Sequence, residues 1–78
     1  MKIIGNDKVN VYVYRNDHPP PHCHVRLRNG SEISIDIPLI KPRYGQRITG
    51  EIKEIIEEHL DEICEAWDEL HPKREPNN

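Results

Sequence analysis

Phenylalanine is absent from this chain of 78 residues, and its aromatic side chains amount to one tryptophan and three tyrosines. Only 35% of the residues are apolar. Any core must therefore be built from Val, Ile and Leu, with Trp67 and a tyrosine added. Chains of this size bury little surface and gain stability from a metal, a disulfide or a second subunit. Cysteine is scarce: Cys23 and Cys64 are too few for a disulfide framework. No run approaches the roughly 20 apolar residues that span a bilayer. Met1–Lys8 is too short and too polar for a secretory signal. The expectation is a reduced, cytoplasmic protein with no membrane partner. Also missing are a Gly-rich phosphate loop, a CxxC pair and a Ser-His-Asp pattern, which removes the commonest nucleotide, redox and acyl-transfer sites.

What charge there is lies unevenly. Residues 1–47 hold eight Lys/Arg against four Asp/Glu, residues 48–78 hold three against ten, and +4 with −7 gives the net −3. The basic side chains Arg15, Arg26, Arg28, Lys41, Arg43 and Arg47 form a candidate surface. A pI of ≈ 5.9 nevertheless argues against a nucleic-acid partner. Residues 51–70 carry nine acidic side chains and one lysine. That is first a solvated helix face, and second a surface for an Arg/Lys-rich partner.

The pattern along the chain predicts one α+β domain over residues 1–72. It is a short antiparallel meander of about three strands packed against one C-terminal amphipathic helix. Residues 73–78 form a polar tail expected to fray. From Lys8 to Arg15 the residues alternate, with Val9, Val11 and Val13 on one face. Ile3 and Ile4 can add a short preceding strand. Three consecutive prolines at 19–21 exclude strand interior and make a stiff, extended connection. Alternation resumes at His22, placing Cys23, Val25 and Leu27 on the apolar face.

Asn29-Gly30 signals a hairpin to the strand carrying Ile33, Ile35 and Ile37. A two-residue loop would mix the two faces. A three-residue loop, Arg28-Asn29-Gly30 with a left-handed Gly30, sets Val25 opposite Ile33 and Cys23 opposite Ile35, so this register is predicted. Pro38–Ile48 reads as a basic loop. Thr49 is the expected N-cap of a helix of about 20 residues whose apolar stripe includes Ile52, Ile56, Ile63 and Trp67.

His18, His22 and His24 are the sharpest chemical feature. His22 and His24 lie two apart on a strand, so their imidazoles share a face about 6.5–7 Å apart at Cα. With His18 folded back across the prolines they would make a three-histidine site for a divalent metal such as zinc. Asp17 and Asp36 are the nearest carboxylates to serve as a ligand or general base. Plainer roles compete: histidines beside prolines hydrogen-bond backbone carbonyls, and strand histidines stack on Tyr12 or Tyr14. Metal-free chemistry is the remaining alternative. As a contact surface, the same face offers His22, His24, Arg26 and Tyr14. Cys23, sent to the opposite face by alternation, is expected to be a buried structural thiol.

Asn16-Asp17-His18-Pro-Pro-Pro-His22-Cys-His24 resembles the signature of the DUF4160 family of small bacterial proteins. The likeness continues through Ile35-Asp36 and resumes from Ile55-Ile56-Glu57-Glu58-His59 to Trp67. The Pro38–Ile48 loop departs from the family pattern. The resemblance implies a protein encoded beside another small protein in a toxin–antitoxin-like pair, and it implies no established catalysis. Three functional expectations follow. The first is an interaction module whose partner is another small protein or a second copy in a homo-dimer. The second is a metal-dependent hydrolase, possible substrates including nucleic acids, built on the histidine cluster. The third is a phage- or plasmid-encoded inhibitor acting through the acidic helix.

Overall fold

The computed structural model describes residues 1–72, and the polar tail expected at 73–78 lies outside the described residues. Five strands are present among the described residues: β1 (Lys2–Gly5), β2 (Val9–Tyr12), β3 (His22–Leu27), β4 (Glu32–Asp36) and β5 (Lys41–Pro42). They form one sheet in sequential order, each pair antiparallel. Two helices follow, α1 (Gly50–Glu58) and α2 (Leu60–Leu70). The α+β class and the antiparallel meander agree with the sequence reading. The counts do not: five strands replace about three, and two helices replace one.

The hairpin has the expected register. Val25 pairs with Ile33 and Cys23 with Ile35. Gly30 carries φ 91°, the Gly30 N–H bonds the Leu27 carbonyl at 3.0 Å, and the Leu27 N–H bonds the Ser31 carbonyl at 2.8 Å. A side chain at Gly30 would meet no neighbouring atom, so the requirement for glycine is one of backbone conformation. On the other side of β3, Val11 pairs with Val25 and Val9 with Leu27. One apolar row thus crosses the central strands, and Val11, Val25 and Ile35 have no exposed surface.

β5 escapes sequence patterning because it is two residues long and ends in proline. It sits at the sheet edge, where a missing N–H disrupts no further ladder. Its pairing, Ile35 with Pro42 and Asp36 with Lys41, depends on the turn before it. There Ile40 adopts φ 59°, a left-handed conformation that costs a β-branched residue about 1–2 kcal/mol. Its side chain is buried, which stabilises by about 1.5–3 kcal/mol, so burial outweighs strain. Leu39 is left facing solvent, 75% exposed, as is Tyr44.

The helix break has a local cause at His59. Its ring Nδ1 lies 3.0 Å from the Ile55 carbonyl, the acceptor its own backbone N–H would take in an unbroken helix. That N–H instead bonds the Ile56 carbonyl at 3.2 Å, tightening the turn. α1 begins as predicted, with the Thr49 hydroxyl accepting from the Ile52 N–H at 3.2 Å and Glu51 in the first turn. Both helices turn the expected stripe inward. Ile52 and Ile56 from α1, with Ile63, Ala66 and Trp67 from α2, close the core over the valine and isoleucine face of the sheet.

Candidate metal centre

β3 places His22 and His24 on the sheet face opposite Cys23 and Val25, as alternation requires. After β2 the chain turns, with the Asp17 N–H bonding the Tyr14 carbonyl at 3.3 Å. The prolines then bring it back into β3, which carries Asp17 over the two histidines. His24 Nε2 lies 2.8 Å from Asp17 Oδ2, and His22 Nε2 lies 3.5 Å from the same oxygen. Donor atoms of Asp17, His22 and His24 all lie within 4.8 Å of one another. Ligands held about 2.0–2.1 Å from a tetrahedral zinc are about 3.3 Å apart. The observed spacings straddle that value, so small ring rotations would complete the geometry.

The other nitrogen of each imidazole is held from behind. His24 Nδ1 lies 3.2 Å from Glu32 Oε2, and His22 Nδ1 lies 3.0 Å from the Pro20 carbonyl. A ring whose Nδ1–H donates to a carboxylate or carbonyl presents an unprotonated Nε2 in a fixed direction, the arrangement found behind histidines that bind metals. The side chains are well enclosed: 6% exposed for His22, 14% for His24 and 17% for Asp17. The Tyr14 ring packs 4.9 Å from His24 and Trp67 packs 5.4 Å from His22. Of the plainer roles expected for the histidines, the carbonyl bond is present at His22, while the Tyr14 ring meets His24 tilted by 53° rather than stacked on it. Each Nε2 meanwhile faces Asp17 Oδ2, at 2.8 Å for His24 and 3.5 Å for His22, so a bound metal would replace these contacts.

His18 is exposed and stands outside the group. Asp17, expected as a ligand or base, takes the place in the cluster that His18 was expected to fill. Asp36 pairs with His22 across β3 and β4 but is not among the three donors. Its buried Oδ1 has no hydrogen-bond partner among the described residues and lies 3.6 Å from Arg43 Nε. Arg26 lies to one side, its guanidinium 3.5 Å from Glu32 and 5.6 Å from the centre of the Tyr12 ring. Tyr14 has its phenol pushed up, first by burial and then by the nearby Glu32.

Three residues were not anticipated at this site. Glu32 follows from the predicted register, which sets it opposite Arg26 and diagonal to His24. Arg43 places Nη1 2.7 Å from His22 Nδ1, having come over from the β5 edge. His71 stacks on Trp67 at 3.7 Å, and its Nε2 reaches the Asp17 carbonyl at 2.9 Å, tying the end of α2 to the loop that bears Asp17. Residue spacing carries no signal for the last two, because both contacts join distant parts of the chain.

Two clefts border this region. One of ≈ 510 Å³ is lined by Pro19, Pro21, Trp67, Asp68, His71 and Pro72. The other, of ≈ 200 Å³, includes Pro21, Ile37, Pro38, Cys64 and Trp67. Neither is lined by the three donor residues. No helix among the described residues is long and apolar enough to cross a membrane.

Comparison with known proteins identifies one family: residues 9–68 match the family described as a domain of unknown function, DUF4160. No curated protein and no solved structure matches the chain. The match spans both the loop carrying Asp17 and the strand carrying the two histidines, and it ends one residue past Trp67.

Proposed function

We propose that this chain, which belongs to the DUF4160 family, is a small divalent-metal-binding module centred on Asp17, His22 and His24. The observation that carries the reading is the enclosed donor set, in which each histidine is braced at Nδ1 and presents Nε2 toward the Asp17 carboxylate. Two imidazoles and a carboxylate suit zinc and its transition-metal neighbours, and three protein ligands leave a position for water or an incoming group. The metal would pin the loop carrying Asp17 to the sheet. For a chain with so small a core, that is stabilisation as well as function.

The module is best understood as one half of a two-protein system of the toxin–antitoxin kind, in which the partner contacts the histidine face at Tyr14 and the exposed Arg26, with His22 and His24 enclosed beneath. Support comes from the family likeness and from the strongly exposed Leu39, in the turn before β5, and Tyr44, on the loop leading to α1. Co-expression with the neighbouring gene should yield a complex. A protein that stays alone would remove the two-protein part while leaving the metal centre standing.

Hydrolysis is the second reading, favoured by the position that three ligands leave for an activated water. The enclosure of the donors and the separate course of the adjoining clefts weigh against a large substrate.

The deciding experiment is calorimetric titration of Zn²⁺, Mn²⁺ and Ni²⁺ into metal-stripped protein. Stoichiometric binding is expected, lost in His22→Ala/His24→Ala and in Asp17→Asn but retained in His18→Ala. Retention of full affinity by the double variant would overturn the assignment. Metal-stimulated turnover of phosphoester substrates, abolished by His22→Ala, would raise the hydrolytic reading above the interaction reading.

A further inference from the structure

His22 Nδ1 is contacted by two groups with opposite requirements. The Pro20 carbonyl at 3.0 Å can only accept, so it asks for a proton on Nδ1. Arg43 Nη1 at 2.7 Å can only donate, so it asks for a lone pair there. A neutral imidazole satisfies one of them at a time. With Arg43 engaged, the ring proton resides on Nε2 and points at Asp17 Oδ2, 3.5 Å away. That tautomer cannot ligate through Nε2. With Pro20 engaged, Nε2 is bare and faces the same carboxylate.

Arg43 also has somewhere else to go. Asp36 Oδ1 is buried without a hydrogen-bond partner among the described residues, and Arg43 Nε already stands 3.6 Å from it. The Arg43 backbone N–H is bonded to the Ser34 carbonyl at 2.8 Å, so a change of partner requires only a swing of the side chain.

We propose that Arg43 and a divalent metal compete for His22, so that metal loading releases Arg43 from the imidazole to Asp36 at the end of β4. This rests on the metal-centre reading above. In the metal-free state Arg43 donates to His22 Nδ1 and the Nε2–H serves Asp17. On loading, the metal takes Nε2, the ring proton moves to Nδ1 and donates to Pro20, and the guanidinium turns to the unpartnered Asp36 oxygen. No proton is gained or lost by the ring in this exchange. Arg43 and Asp36 border β5, and the next residue along is the exposed Tyr44. Occupancy of the buried centre is thereby passed to the surface loop offered to a partner.

The test is titration of Zn²⁺ into metal-stripped wild type, Arg43→Gln and Asp36→Asn, with the ring nitrogens of His22 followed by NMR. Removing the competitor, with its charge and hydrogen bond, should tighten zinc binding about tenfold in Arg43→Gln. Asp36→Asn, which gives the released guanidinium a poorer partner, should weaken it several-fold, on the order of 3 to 10. Metal-free His22 should carry its proton on Nε2 in wild type, and Arg43→Gln, which frees Nδ1 to donate to Pro20, should raise the share of rings with a proton on Nδ1. Unchanged or weaker zinc binding by Arg43→Gln, with wild type binding normally, would overturn the competition and leave the metal centre intact. Absence of zinc binding by wild type and both variants would overturn the centre itself. If Arg43→Gln does not fold, Asp36→Asn decides alone: affinity equal to or above wild type overturns the proposal.

Discussion

Adjacent residues on β3 meet opposite environments, and the contrast between His22 and Cys23 shows how much one step along a strand changes a side chain's chemistry. Cys23 has no exposed surface, and burial pushes its thiol from 9.0 up to about 12, with nearby Cys64 adding to the shift. The thiolate is the reactive species, so Cys23 is inert in the folded protein. Cys64 is half-buried, and its thiol is also raised, by burial and then by Asp68 and Asp61. Titration with a thiol reagent at neutral pH should therefore modify at most Cys64 in the native protein and both thiols after denaturation. Stability carries the same signature. Below pH 9 the Cys23 thiol is neutral whether the chain is folded or not, and its contribution is constant. Between about 9 and about 12 only the unfolded chain ionises, so the native state loses stability as pH rises. Cys23→Ala should lose that share of the slope in urea titrations across this window. A wild-type slope identical to that of the variant would show that the thiol ionises freely in the fold.

At the scale of elements, the turn and the cap are the features that fix where strands and helices begin. Gly30 holds φ 91° with open space around it. Gly30→Ala should therefore cost about 1–2 kcal/mol through conformation alone, while Gly30→Asn, better suited to the left-handed region, should cost less. Thr49→Ala, which removes the acceptor for the Ile52 N–H, should cost about 1 kcal/mol, and Thr49→Ser should recover most of it. Urea midpoints measure both series. Both elements were legible before the structure. The Asn29-Gly30 pair and the alternation of Val25 and Ile33 allow only one register that keeps the apolar face intact, and Thr49 precedes the first apolar helical position. The break at His59 was not legible. It depends on which carbonyl an imidazole chooses, and the stripe of isoleucines runs through it without interruption. β5 was hidden for a related reason, since Lys41-Pro42 becomes a strand only because β4 lies beside it.

For the whole molecule, the site joins the parts that sequence reading keeps separate. Asp17 belongs to a loop, His22 and His24 to β3, Glu32 to β4, and Arg43 to the segment after β5. His71 closes the arrangement from the end of α2, its Nε2 on the Asp17 carbonyl. A metal held by Asp17, His22 and His24 would therefore brace loop and sheet together, and binding would appear as folding stability. At a free zinc concentration a hundred times Kd, the native state should gain about 2.7 kcal/mol, which corresponds to about 10 °C or more in Tm for a chain of this size. The double variant His22→Ala/His24→Ala should show no such gain. A wild-type Tm unmoved by zinc at saturation would mean that the ion, if bound, does not couple the loop to the sheet.

What the sequence determined by itself rests on near neighbours: the α+β class, the hairpin register, the cap at Thr49, the buried face of Cys23, and the shared face of His22 and His24. Periodicity and backbone sterics act over a few residues, so they can be read without knowing the rest of the chain. Tertiary structure decided which third group joins the two imidazoles. Asp17 and His18 are adjacent and both can ligate a metal; the sequence reading gave the third place to His18, but the path of the chain through the prolines turns Asp17 inward and leaves His18 in water. It also decided that Arg43 and His71, remote in sequence, would reach His22 and Asp17. Such contacts arise from the packing of whole elements, for which a string of residues carries no local sign.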